Sequence, residues 1–144
     1  MVMKINKLYV IIFSLLMTIV SCVGQQNKVE SISISYVDYI IITTFKIEES
    51  YFEEAFNEDI KTIIIKDSLM IKNFMSEIKK LKQQEGISTP NVRQKVRIKR
   101  SDGSVDILCL DGEAFISING VSMYFNKFLQ DLINKEIKKH ETRI

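Results

Sequence analysis

The 144-residue chain predicts an α+β domain: mostly antiparallel sheet, including a four-stranded C-terminal meander, with two main helices packed on one face. Three observations carry that prediction. Residues 92–125 alternate apolar and polar positions and are cut by Asp102-Gly103, Asp111-Gly112 and Asn119-Gly120, dipeptides that favour two-residue hairpins. Two other segments, near 68–81 and 126–139, carry apolar residues at helical spacing instead. The composition, 46% hydrophobic and 26% charged with 5 Gly and 1 Pro, is that of an ordinary globular chain.

The elements follow in order. Within residues 31–44, Ile32, Ile34 and Tyr36 alternate with Ser31, Ser33 and Ser35 as in a half-buried strand. The parity then changes to Val37, Tyr39 and Ile41, which requires a bulge or tight turn near Asp38. Ser50-Tyr51-Phe52-Glu53 fits a capping box, and Tyr51, Phe52, Ala55 and Phe56 would share one face of a short helix; a strand is the other reading there. Residues 62–66 read as a buried-type strand. Asp67-Ser68 can cap the next helix, whose apolar stripe is Ile71, Phe74, Met75, Ile78 and Leu81. Residues 86–91, with the single proline Pro90, form a loop.

If each hairpin dipeptide is a two-residue turn, the register places Lys99 opposite Asp106, Leu108 opposite Phe115 and Ile116 opposite Met123. One face is then wholly apolar: Val96, Ile98, Val105, Ile107, Cys109, Ala114, Ile116, Ile118, Val121, Met123 and Phe125. The final helix starts near Asn126 and buries Phe128, Leu129, Leu132, Ile133 and Ile137, with Lys138 and Lys139 at the negative end of its dipole.

The first residues read as an address. Lys4 and Lys7 precede residues 8–20, apolar except for Ser14 and Thr18, and Ser21-Cys22 follows. A basic start, a short apolar run and small residues at the break mark a secretory signal, and the run is shorter than the roughly 20 residues a spanning helix needs. Ile19-Val20-Ser21-Cys22 resembles a bacterial lipobox and is similar to those of small Bacteroides-type lipoproteins, although Ile19 and Val20 depart from the commonest pattern. The resemblance covers the leader only. It implies cleavage before Cys22 and lipidation of Cys22, which gives 1–21 as signal peptide, 22–30 as polar tether and 31–144 as a single domain. It also implies a lipid anchor in the cell envelope. The first acid after Cys22 is Glu30, which favours an outer-membrane position facing the periplasm over the surface-exposed side.

Net charge excludes one class of partner. Without residues 1–21 the chain carries 18 basic and 18 acidic residues, too balanced for a nucleic-acid binder. Two cysteines and one histidine exclude a multi-disulfide scaffold and the usual zinc sets, and no phosphate loop, nucleophile elbow or HExxH pair is present, so neither cofactor nor metal is expected. A Cys109/His140 pair is a formal nucleophilic dyad, but Cys109 falls on an apolar strand face, where a free thiol acts as a small core residue. Glu48, Glu49, Glu53, Glu54, Glu58 and Asp59 read as a solvated acidic edge, since the ligand spacing of a calcium loop is missing. Residues 61–100 are strongly basic, so the two segments are placed to attract one another.

The second sheet face then gathers Arg97, Leu108, Leu110, Phe115 and Tyr124, an apolar centre with a basic margin, either covered by other parts of the chain or open to a partner. The functional expectation is a non-catalytic binding or inhibitory module acting through that face. The alternatives are a small envelope enzyme using carboxylates, or an immunity or protease-inhibitor protein.

Overall fold

The computed structural model describes residues 28–86 and 89–142; Cys22, the signal peptide and most of the tether lie outside the described residues. Strand β1 (Val29–Tyr36) is followed by a short helix α1 (Phe52–Phe56) between the 3-10 turns Glu49–Tyr51 and Asn57–Asp59, then β2 (Lys61–Ile65) and helix α2 (Ser68–Ile78). Strands β3 (Gln94–Arg100), β4 (Val105–Leu110), β5 (Ile116–Ile118) and β6 (Val121–Met123) precede helix α3 (Lys127–Glu141). All six strands form one antiparallel sheet in the order β2-β1-β3-β4-β5-β6. The described residues are thus an α+β unit with three α-helices.

Local chemistry starts the two long helices. Asp67 Oδ1 accepts from Met70 N at 2.8 Å, and Asn126 Oδ1 accepts from Leu129 N at 3.1 Å, each satisfying an amide that the first helical turn leaves unpaired. Phe74 and Ile78 of α2 and Leu129 and Ile133 of α3 are buried against Ile32, Ile34, Val96, Ile98, Leu108, Leu110 and Ile116 of the sheet. Each such side chain contributes roughly 1.5–3 kcal/mol on leaving water. The other face has its own apolar cluster. Phe52 and Phe56 of α1 pack edge to face, with centroids 5.4 Å apart, and join Val37, Ile47, Val92 and Cys109.

Two hairpins correct the expected register. Between β3 and β4 the turn has three residues, because Arg100 N donates to Ser104 O (2.9 Å) and Gly103 takes φ +85°. That extra residue slips β4 by one position, so Val96 faces Leu108 and Lys99 faces Val105. A one-residue slip turns a strand over. Leu108 and Leu110 therefore enter the main core, while Ile107 and Cys109 join the α1 side. The expected Lys99–Asp106 pair does not form: Lys99 meets Glu30 at 3.2 Å, and Asp106 meets Arg100. Between β4 and β5, Asp111 Oδ1 accepts from the amides of Glu113, Ala114 and Phe115 at 2.9–3.0 Å, which stretches the loop over residues 111–115. Leu108 consequently pairs with Ile118 rather than Phe115, and β5 turns back so that Ile116 reaches the main core. Asn119-Gly120 is the expected two-residue turn, with φ +49° and +77°, and Ile116 lies opposite Met123.

Three smaller expectations also change. Phe128 is 77% exposed, because the helical stripe that meets the sheet runs through Leu129 and Ile133. Ser50 caps nothing: no side chain caps either the 3-10 turn or α1, and Glu53 reaches across to β3 instead. Of the four residues expected on one helix face, Phe52 and Phe56 pack, while Ala55 and Tyr51, the last residue of the preceding 3-10 turn, are exposed. Strand β2 is an outer strand with Ile64 exposed, not a fully buried one.

Candidate functional site

The five residues expected to share an open face do not come together. Leu108 and Leu110 are fully buried under α2 and α3, for the register reason given above. Arg97 stays on the α1 side and is paired with Glu53. Phe115 sits in the β4–β5 loop, and Tyr124 follows β6 beside Phe125 and Phe128; all are exposed, but they border separate grooves. The acidic and basic segments do meet. Lys95, nearly buried, donates to Glu49 O at 3.0 Å and Glu53 Oε2 at 3.1 Å. Burial raises the Glu53 pKa, but hydrogen bonds from Lys95 and Arg97 outweigh it and hold the carboxyl below its ordinary value.

Where β1 ends, the chain builds a different surface. The Asp38 carboxylate accepts from Ile40 N (3.2 Å) and its carbonyl from Ile41 N (3.1 Å), a tight turn that ends strand pairing at the position where the apolar parity changes. Beyond it the chain runs as a loop whose side chains point largely into solvent: Ile40 is 82%, Ile42 91% and Phe45 66% exposed. Exposed apolar residues in a group mark interaction sites in soluble domains.

This loop is not slack. Buried Arg93 lies 5.3 Å from the Phe56 ring centroid and sends Nη1 to Ile41 O (2.8 Å) and Nη2 to Thr43 Oγ1 (3.0 Å). Asn91 Oδ1 accepts from Ile47 N at 2.8 Å, and Lys46 Nζ reaches Thr89 Oγ1 at 2.6 Å. At the loop's start, Tyr39 Oη accepts from Gln94 Nε2 at 2.7 Å, and Gln94 is linked to Gln130 of α3 (2.9 Å) within the core. Tyr39 lies against Gly112, where any Cβ would run into its hydroxyl. Burial, followed by the Asp111 charge, pushes the Tyr39 hydroxyl up to about 12. The backbone is therefore fixed from within while Ile40, Ile42 and Phe45 face outward. Phe45 and Phe115 both border a depression of about 520 Å³ that also involves Thr43, Lys46, Asn91 and Asp111.

Sequence reasoning missed this loop. Its one signal is the run Ile40-Ile41-Ile42, which has no alternation and so cannot be half-buried as a strand.

Nucleophilic chemistry finds no support in the positions of the two candidate groups. Burial, and next the neighbouring Glu49 carboxylate, push the Cys109 thiol up to about 12, which keeps it protonated. His140 lies toward the opposite side of the sheet, with Nδ1 3.4 Å from Tyr36 Oη. Among the described residues no group of three or more His, Cys, Asp or Glu is placed to hold a metal ion. None of the described helices is long and apolar enough to cross a membrane. No protein-family model, curated protein or solved structure matches the chain.

Proposed function

We propose that the protein is a lipid-anchored cell-envelope binding module, non-catalytic, that docks a protein partner through the apolar loop of residues 39–45 together with Phe115. The observation that carries this reading is the contrast within the loop: Ile40, Ile42 and Phe45 are exposed, yet the backbone between them is held by the buried Arg93. A surface whose shape is set before binding loses little conformational entropy when a partner arrives. The C-terminal strands, read as a meander with α2 and α3 on one face, are the rigid platform behind it.

The leader completes the picture. Lipidation at Cys22 would tether the domain six residues ahead of Lys28, at the end of the sheet where β1 begins. The apolar loop follows the other end of β1, roughly 25 Å away for eight strand residues. The loop would thus face away from the anchoring membrane, which is the geometry for a partner in the periplasm rather than for the lipid surface itself.

Two measurements test this. Growth with an inhibitor of lipoprotein signal peptidase should raise the mass of the protein by that of the uncleaved leader; an unchanged mass removes the anchor. A photo-crosslinking amino acid at Ile42 should trap one envelope protein in intact cells, and Ile40→Asp or Phe45→Asp should abolish the adduct while leaving the unfolding midpoint unchanged. Adducts that persist in both variants would reject the loop as the docking surface.

A further inference from the structure

Strand β2 is an open edge. Lys61–Ile65 pairs with β1 on one side, and among the described residues no strand pairs with its other side. The far edge of the sheet is treated differently: Gln84 N donates to Ser122 O (3.0 Å) and Tyr124 N to Lys82 O (2.9 Å), so residues 82–84 close β6. Natural sheets blunt a free edge with proline, a bulge or inward charge, because its unpaired amides and carbonyls template another strand. In β2 only the first residue, Lys61, supplies such a charge; Thr62-Ile63-Ile64-Ile65 carries no proline and no charge.

A groove of about 320 Å³ follows this edge, between β2 and the second half of α3, lined by the apolar Ile63, Ile65 and Met70 and by Lys66, Asp67, Glu136, Lys139 and His140. Glu136 is the unusual member. It is only 7% exposed, and its Oε1 has no hydrogen-bond partner among the described residues. Its Oε2 lies 3.7 Å from Lys139 Nζ, an ion pair beyond hydrogen-bond distance. His140 is turned toward Tyr36. A buried carboxylate oxygen without a donor is destabilising, so a cationic donor delivered into the groove gains more there than on open surface.

We propose that this edge binds an extended peptide as a seventh strand, and that a lysine or arginine of the peptide, on the α3 side, pairs with the Glu136 carboxylate, which turns from the protein interior to meet it. Backbone pairing along β2 supplies sequence-tolerant affinity, and the side-chain pockets on one face supply selectivity. Residues two positions from the peptide's cation share its face, and with the cation opposite Ile63 or Ile65 one of them lies opposite the other isoleucine, so the preferred segment carries an apolar residue two positions from the basic one. A second copy of this chain is the poorer occupant. The basic residue on the core side of its own β2, Lys61, already lies 3.6 Å from Glu141 and 5.9 Å from the Tyr36 ring centroid.

The test uses the full-length chain in dodecyl maltoside micelles, titrated with a fluorescein-labelled nonapeptide of alternating threonine and valine carrying one central lysine. Saturable anisotropy is expected, with new hydrogen-exchange protection in residues 61–65. Replacing the peptide lysine by glutamine, or Glu136→Gln in the protein, should each weaken binding about tenfold or more, with little further loss when the two are combined. The peptide substitution on the unaltered protein keeps the test valid should Glu136→Gln disturb folding. Ile42→Asp should leave binding unchanged, which separates this site from the loop. The proposal fails if binding does not saturate by millimolar peptide, if protection arises away from β2, or if neither substitution matters. It fails equally if β2 becomes protected through dimerisation without peptide.

Discussion

Arg93→Met isolates the group that shapes the apolar loop. Methionine keeps most of the apolar stem beside Phe56 and removes the guanidinium. The lost contacts are the hydrogen bonds to Ile41 O and Thr43 Oγ1 and the approach to the Phe56 ring. Hydrogen bonds to a charged group contribute about 1.5–3 kcal/mol each, and the ring contact about 0.5–1 kcal/mol. Part of this is regained, because the half-buried Ile41 carbonyl can turn to water and no cation has to be desolvated. A net loss of about 3 kcal/mol is expected, or about 10–15 °C in the unfolding midpoint for a domain of this size. Thermal unfolding followed by circular dichroism measures the first quantity. Hydrogen exchange resolves the second effect, a selective loss of protection at the amides of residues 40–47. A variant within about 1 kcal/mol of the parent, with unchanged exchange in this loop, would refute the claim that Arg93 organises it.

Other consequences of the structure are equally open to measurement. Leu129→Ala should cost about 2–5 kcal/mol by urea unfolding, whereas Phe128→Ser, one residue earlier on the exposed side of α3, should stay within about 0.5 kcal/mol. The Glu53 carboxyl titrates below its unfolded value, so its pairing with Lys95 and Arg97 stabilises the fold above about pH 4.3 and is lost as the pH falls through the lower folded value. Glu53→Gln should therefore flatten the acid limb of a midpoint-versus-pH curve; an unchanged limb would assign the acid sensitivity elsewhere. Cys109, buried and protonated, should react with a thiol reagent at pH 8 only as fast as the domain opens, and urea below the transition should accelerate the reaction.

Much of the architecture was legible in the chain because its causes are local. Asn119-Gly120 turned where its two left-handed residues require, and Asn126 and Asp67 capped the helices that follow them. Phe74, Ile78, Leu129 and Ile133 lie on the stripes their spacing describes. The attraction between the acidic and basic segments was also visible as charge, and it is realised through Glu53, Lys95 and Arg97. The candidate site was another matter. Of the five residues expected on one open face, two are in the core, and the exposed loop falls in a stretch, 31–44, whose composition describes a strand.

The difference is one of range. Periodicity, caps and two-residue turns depend on atoms a few positions apart, so the amino-acid order determined by itself that this chain forms strands here and helices there. Strand parity depends on the number of residues in each turn: the third residue of the β3–β4 turn turns β4 over, and the loop gathered by Asp111 turns β5 back, while the hydrophobic pattern stays intact. The sequence therefore could not say which half of β4 was inside. Nor could it say that Arg93 would reach back 52 residues to hold Ile41, because that bond exists only once the sheet has brought the two loops together. Only the tertiary structure decided which apolar residues are core and which are surface: a side chain's burial is set by what packs over it, and the packing partner lies far away along the chain.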